Sequence, residues 1–420
     1  MDLWLDSNSV FGKIFSGLRV TKYLSLFIIL LLVACQSFSI HASPTLPGSI
    51  TATRLPSVSP LPSEPTPVPS STLLATRTPR PTLIANPTVT LTAALFGILG
   101  FPPNINPLTG LVVSDPALLI RRPVMVKVSN YPRSGRPHAG LSKADIVFEY
   151  YIGEEANRFL AIYYGQNAPR VGPMRSGRLV DAQLVNMYQG ILAYGNADPQ
   201  VDDTLMRDLG KRAISFDESP CPPVCGKDTH SVAGVFVDTG EMTRFADKLG
   251  INNIRPDLDG MIFDPIIPPN QEYAMRIGIQ YSKRDRGEWR YDPQTGLYRR
   301  WIEADDSTRM IPLVDRNTDD QIVFANIVII FATYHEFAPT LHQIEVWDND
   351  QGKPAIFFRD GIAVEGSWRV PAHIRPMQFY NSEGLPMSLK PGNTWIVIAG
   401  DHSSLEQPET GRWETTFRLP

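Results

Sequence analysis

The sequence predicts an α+β protein: a mixed α/β N-terminal domain followed by a mainly antiparallel β C-terminal domain, both behind a disordered linker. Three observations carry this expectation. Between residues 101 and 265, short runs rich in β-branched and aromatic residues alternate with stretches of helical period; from 266 to 420 strand signals dominate; and ahead of both lies a stretch too rich in proline to pack.

In chain order, residues 1–35 read as an export signal. Lys13, Arg19 and Lys22 precede eleven nearly apolar residues, 23–33 (YLSLFIILLLV), and Leu32-Val33-Ala34-Cys35 closes the run. A membrane-spanning helix needs about 20 apolar residues and a signal-peptide core about 7 to 15, so the run fits the second. Small residues before a cysteine at the end of such a core resemble the bacterial lipobox. This makes Cys35 the expected lipidation site and places the protein on the outer face of the cytoplasmic membrane, anchored by lipid. An ordinary signal peptide, or a buried helix that happens to hold a cysteine, is the alternative.

Residues 36–100 are expected to be a stalk. From 43 to 87 there are 11 Pro and 15 Ser or Thr, four charges and no aromatic residue. Such a composition cannot offset the entropy of ordering, and repeated proline favours extended polyproline II. The whole chain carries 39 basic and 43 acidic residues, so there is no general basic field and nucleic acid is not an expected partner.

In the first domain, residues 123–129, 144–152 and 158–164 read as strands and 179–188, 201–209 and 241–249 as helices. The last is clearest: Met242, Phe245, Ala246 and Leu249 share one face, Thr239 is a candidate N-cap and Gly250 follows the end. The proline-rich residues 264–270 mark the boundary. Beyond them, 287–291, 297–302, 321–334, 342–347, 355–358, 362–368 and 394–399 read as strands, with hairpin turns at Asp360-Gly361 and at 293–296.

Several short motifs in order, PLTG at 107–110, Arg122-Pro123, Arg136-Pro137, GLSKADIVFE at 140–149, Arg158-Phe159-Leu160, GPMRSGR at 172–178, Asn326-Ile327-Val328 and GNTWI at 392–396, resemble the YerB-like family of bacterial lipoproteins. The likeness covers roughly residues 104–400. It implies an α/β part followed by a β-rich part, no established enzymatic activity, and an association with the cell envelope and peptidoglycan synthesis. The chain departs from the family pattern at Met174 and Gly177, and its Cys221 and Cys225 are not a family feature.

After Cys35, those two are the only cysteines. In an oxidising compartment a pair with three residues between them is expected to close a disulfide loop. A zinc site built from Cys221, Cys225, His230 and Asp228 is the sharper alternative, but a second ligand pair is missing, so no metal and no cofactor is expected.

Catalytic signatures are mostly absent. No lysine has a serine three positions before it, no HExxH occurs, and Gly140-Leu141-Ser142-Lys143-Ala144 precedes a strand where a nucleophile elbow would follow one. Asp348-Asn349-Asp350 lacks the later ligands of a calcium loop and reads as a turn. What remains is a polar constellation: Arg158, Arg175, Ser176, Arg178, His138 and His230 as candidates for binding an anion or partner, and Asp145 and Glu149 as candidate acids. Arg175 and Arg178 stand just before a helix, where free amides and the helix dipole favour anions. They could equally pair with Asp145 and Glu149 and pin a loop. The sequence thus favours a tethered binding module over an enzyme, with peptidoglycan or its synthesis proteins as the implied partner. A hydrolase using the acids with a histidine is the alternative.

Overall fold

Strands form where apolar β-formers run without interruption, and here both faces of several strands are buried. The computed structural model describes residues 96–98, 100–226, 234–269 and 271–420; Cys35, nearly all of the linker, Asp228 and His230 lie outside them. The first half supplies strands β1 (Val124–Ser129), β2 (Ile146–Gly153) and β3 (Ala156–Tyr163), helix α1 (Leu179–Met187), β4 (Ile191–Tyr194), α2 (Pro199–Leu209), β5 (Ala213–Ser215) and α3 (Thr239–Lys248). The second half supplies β6 (Glu272–Gln280), β7 (Arg286–Asp292), β8 (Leu297–Glu303), β9 (Asn326–Ala332), β10 (Lys353–Arg359), β11 (Ile362–Arg369), β12 (Thr394–Gly400), β13 (Ser404–Glu409) and β14 (Gly411–Thr416). With 41% of the residues in strands and 14% in helices, the protein is mostly sheet.

The strands run β5-β4-β1-β3-β2-β12-β9-β10-β11 in the larger layer. The sheet is mixed: β1, β4 and β5 are parallel, as are β2, β12 and β9, and the remaining neighbours are antiparallel. At its centre β2 pairs with β12, from Ile146 opposite Thr394 to Tyr150 opposite Ile398, so strands from either side of residues 264–270 share one ladder. The second layer is β8-β7-β6-β14-β13, and the start of β6 pairs with β11, joining the layers.

Every residue of β1 and β3 is buried, and nearly every one of β2. Such strands need cover on both sides. On one face lies α1, itself almost wholly buried. On the other, the Phe159, Trp395, Trp289 and Phe324 rings meet edge to face between the layers.

Three local expectations are corrected. The N-cap of α3 is Asp238, whose Oδ1 accepts from the Gly240 and Glu241 amides, because a carboxylate one residue ahead of Thr239 reaches both first-turn donors. Leu249, expected on the packed face, is 37% exposed, since the helix ends at Lys248. Residues 321–334 are also not one strand: Ala325 separates Val323–Phe324 from β9, the Ala325 and Asn326 amides both turning to the Asn393 carbonyl. At the end of the linker, Phe96 exchanges two backbone hydrogen bonds with Phe263.

Candidate anion site and the buried carboxylates

Lys127 on β1, Arg158 on β3 and Tyr150 on β2 share one face of the sheet. Tyr150 stands opposite Arg158, and Lys127 lies two residues along from Ser129, the other neighbour of Arg158. Helix α1 covers this face and brings Asp181 onto Lys127, at 3.1 Å, with both side chains fully buried. Tyr150 accepts from Lys127 and donates to Asp181. Asp181 also accepts from the Arg178 amide at 2.7 Å, closing the first turn of α1.

The loop before α1 is fixed from below. Ser129 and Arg175 donate their amides to Pro173 and Lys127, Gly195 donates to Arg175, and Gly177 donates to Asn196. A side chain at Gly177 would run into Leu205 and Tyr194, so glycine lets the loop press onto the sheet. Arg158, only 6% exposed, donates Nη1 to the Ser176 carbonyl at 3.1 Å and leaves Nε without a partner. Arg175, Ser176 and Arg178 are half-buried, and Arg178 reaches the Thr340 carbonyl on the hairpin of Tyr334–Ala338 and Leu341–Ile344. The structure therefore brings Arg158, Arg175, Ser176 and Arg178 together.

Charge is unbalanced here. Among the described residues none of the three arginines has a carboxylate in ion-pair contact; the carboxylate charges felt at Arg178 are those of Asp181 and, at the N-cap of α2, Asp198. Burial, with the Arg178 and Arg175 charges adding to it, drives the Arg158 guanidinium well below its usual range. Burial likewise lowers Arg175 and Arg178. It pushes the Lys127 ammonium down to about 7, against the pull of Asp181. The first two amides of α1, Leu179 and Val180, have no acceptor among the described residues. A pre-formed set of donors with excess positive charge can hold an anion.

The other candidates lie elsewhere. Glu149 faces the second layer: its Oε2 accepts from Arg300 Nη2 at 3.0 Å and Trp395 Nε1 at 2.7 Å, and its Oε1 from Asn157 Nδ2 at 2.6 Å. The Arg300 guanidinium lies 3.9 Å from the centre of the Trp289 ring, and Gly287 leaves it room that a methyl group would fill. Burial raises Glu149 above the usual carboxylate range even so. Asp145, about 13 Å away at the other end of the strand, accepts from Tyr164 and Gly165 amides at 2.6 and 3.0 Å and from Asn106 Nδ2 at 3.0 Å. Burial lifts it to about 6 against those bonds. His138 is fully buried beside Phe159, its Nε2 2.7 Å from the Ser129 carbonyl and its Nδ1 without a partner. Burial and the Arg136 charge drive its pKa down to about 3, so it is a neutral ring.

Sequence reasoning passed over Lys127, Tyr150, Asp181 and Arg300. A lysine within an apolar strand was the available signal for the first, since a strand covered on both faces gives it no solvent side. Cys221 and Cys225 are joined as a disulfide, with Cα atoms 4.8 Å apart. No cluster of three potential metal ligands occurs among the described residues. Nor is any of their helices long and apolar enough to cross a membrane.

Comparison with known proteins matches residues 108–251 to the N-terminal domain, and residues 277–396 to the C-terminal domain, of the protein of unknown function DUF3048. The Bacillus subtilis protein named "Putative lipoprotein YerB" is 28% identical over 302 residues, which span 70% of this chain and 86% of that one. The crystal structure of YerB from Bacillus subtilis superposes with a TM-score of 0.58 at 25% identity, covering 70% of this chain and 96% of its own. Matched in both domains, the chain belongs to the DUF3048 family, and it is similar to YerB over 70% of its length in sequence and in fold.

Proposed function

We propose that this protein is exported, lipidated at Cys35 and held on the outer face of the cytoplasmic membrane, where its folded part acts as a non-catalytic binding module of the cell envelope. Its ligand is an anionic group on a cell-wall polymer such as peptidoglycan, or on a protein that assembles the wall. The observation that carries this reading is the set of Arg158, Arg175 and Arg178 beside the buried Lys127–Asp181 pair, with no carboxylate of their own among the described residues. Buried and half-buried charges are normally paired, so an unpaired set at a helix start suits an external anion. The lipoprotein name of the relative supports the anchor.

The test is co-sedimentation of the compact unit from Ala85 to Pro420 with purified, protein-free wall sacculi. Arg178→Ala should weaken retention by about 1.5 to 3 kcal/mol, the contribution of a charge-assisted hydrogen bond, while the melting temperature holds. A lowered melting temperature with unchanged retention would assign Arg178 to structure alone.

A further inference from the structure

We infer that the arginine site takes a phosphate-type dianion, a terminal phosphoryl or diphosphate group, in preference to a carboxylate or a bridging phosphodiester. This rests on the anion-binding reading above and names the ligand class. Three arginines meet at the site, Arg158 from β3 and Arg175 and Arg178 from the loop entering α1, beside the buried Lys127–Asp181 pair. The carboxylates whose charge reaches it are Asp181 and Asp198, so the three arginines keep an excess of positive charge among the described residues.

The donor geometry points the same way. Arg158 comes from β3, Arg175 and Arg178 from the loop, and the unpaired Leu179 and Val180 amides from the start of α1, so the donors stand on three separate segments. A carboxylate offers two oxygens in one plane, which a single guanidinium fork already saturates. Three oxygens on a tetrahedral phosphorus can accept from several elements at once. The rigid attachments of the loop, at Lys127, Pro173 and Asn196, mean that little ordering is left to be done on binding.

The experiment is isothermal titration calorimetry on the Ala85–Pro420 unit at about pH 8, where phosphate is the dianion, with inorganic phosphate, pyrophosphate, dimethyl phosphate and acetate at matched ionic strength. Phosphate and pyrophosphate should bind saturably, and the two monoanions at least about tenfold more weakly. Arg175→Gln and Arg178→Gln, both at half-exposed positions, should each weaken phosphate binding roughly tenfold or more without lowering the melting temperature. Acetate or dimethyl phosphate binding as tightly as phosphate overturns the dianion assignment and leaves the anion site standing. No saturable binding of any of the four, or phosphate binding untouched in both variants, overturns the assignment and the anion reading together.

Discussion

His138 gives the fold a built-in sensitivity to acid. Its ring is sealed between Phe159 and the Ser129 carbonyl, which can only accept, so Nε2 carries the proton and Nδ1 stays bare. A second proton would place a charge in an apolar space beside Arg136, which is why the folded pKa is about 3 while an unfolded histidine titrates near 6.5. Between these values the unfolded chain binds a proton that the folded chain refuses, so stability falls as pH drops below about 6.5. From pH 7 to pH 5 the loss from this one group is about 2 kcal/mol. His138→Gln retains a donor for Ser129 and removes the titration. Urea unfolding of both proteins at the two pH values separates this group from every other, because all remaining titrations are common to both. The native protein should lose about 2 kcal/mol more than the variant. Equal losses, or a His138 proton signal titrating near pH 6.5 in the native protein, would refute the argument.

Arg300→Met should cost about 3 to 5 kcal/mol at neutral pH by leaving Glu149 buried without its cation, and the deficit should shrink as the pH is lowered, because burial already raises Glu149 and loss of the cation raises it further; thermal melts at neutral and acidic pH check it. Without reductant, a thiol titration of the folded unit should find no free thiol at Cys221 or Cys225, and two reactive thiols would contradict the bond seen between them. Cys35→Ser should shift the full chain from the membrane fraction to the soluble or unprocessed fraction, and unchanged membrane association would rule out the lipid anchor.

The strands β1, β2 and β3 and the helices α1 and α3 were legible because each is a local pattern: continuous apolar β-formers, or a four-residue apolar face. Their partners were not. Nothing in residues 144–152 or 394–399 says that they lie side by side and parallel, since pairing is decided by the whole sheet. The same limit governed the site. Arg175 and Arg178 stood out beside glycines before a helix, but Arg158 joins them only through its cross-strand place opposite Tyr150. Glu149 and Asp145 were grouped by residue type, and the strand carries them to different surroundings. Lys127 was passed over because residues 123–129 do not reveal that α1 covers its face.

The pairing of β2 with β12 also sets a clock. Ile146 meets Thr394, so about 250 residues must be made before the central ladder can close. At 5 to 20 residues per second, that is about 12 to 50 s during which β2 exists with its partner still unsynthesised. For that interval its apolar edge is an open template for other chains. A synthesis pause in the second half, or a truncation anywhere before residue 394, would therefore leave an adhesive edge on an otherwise folded first half. Whatever accompanies this chain during synthesis has to shield that edge until residues 394–400 arrive.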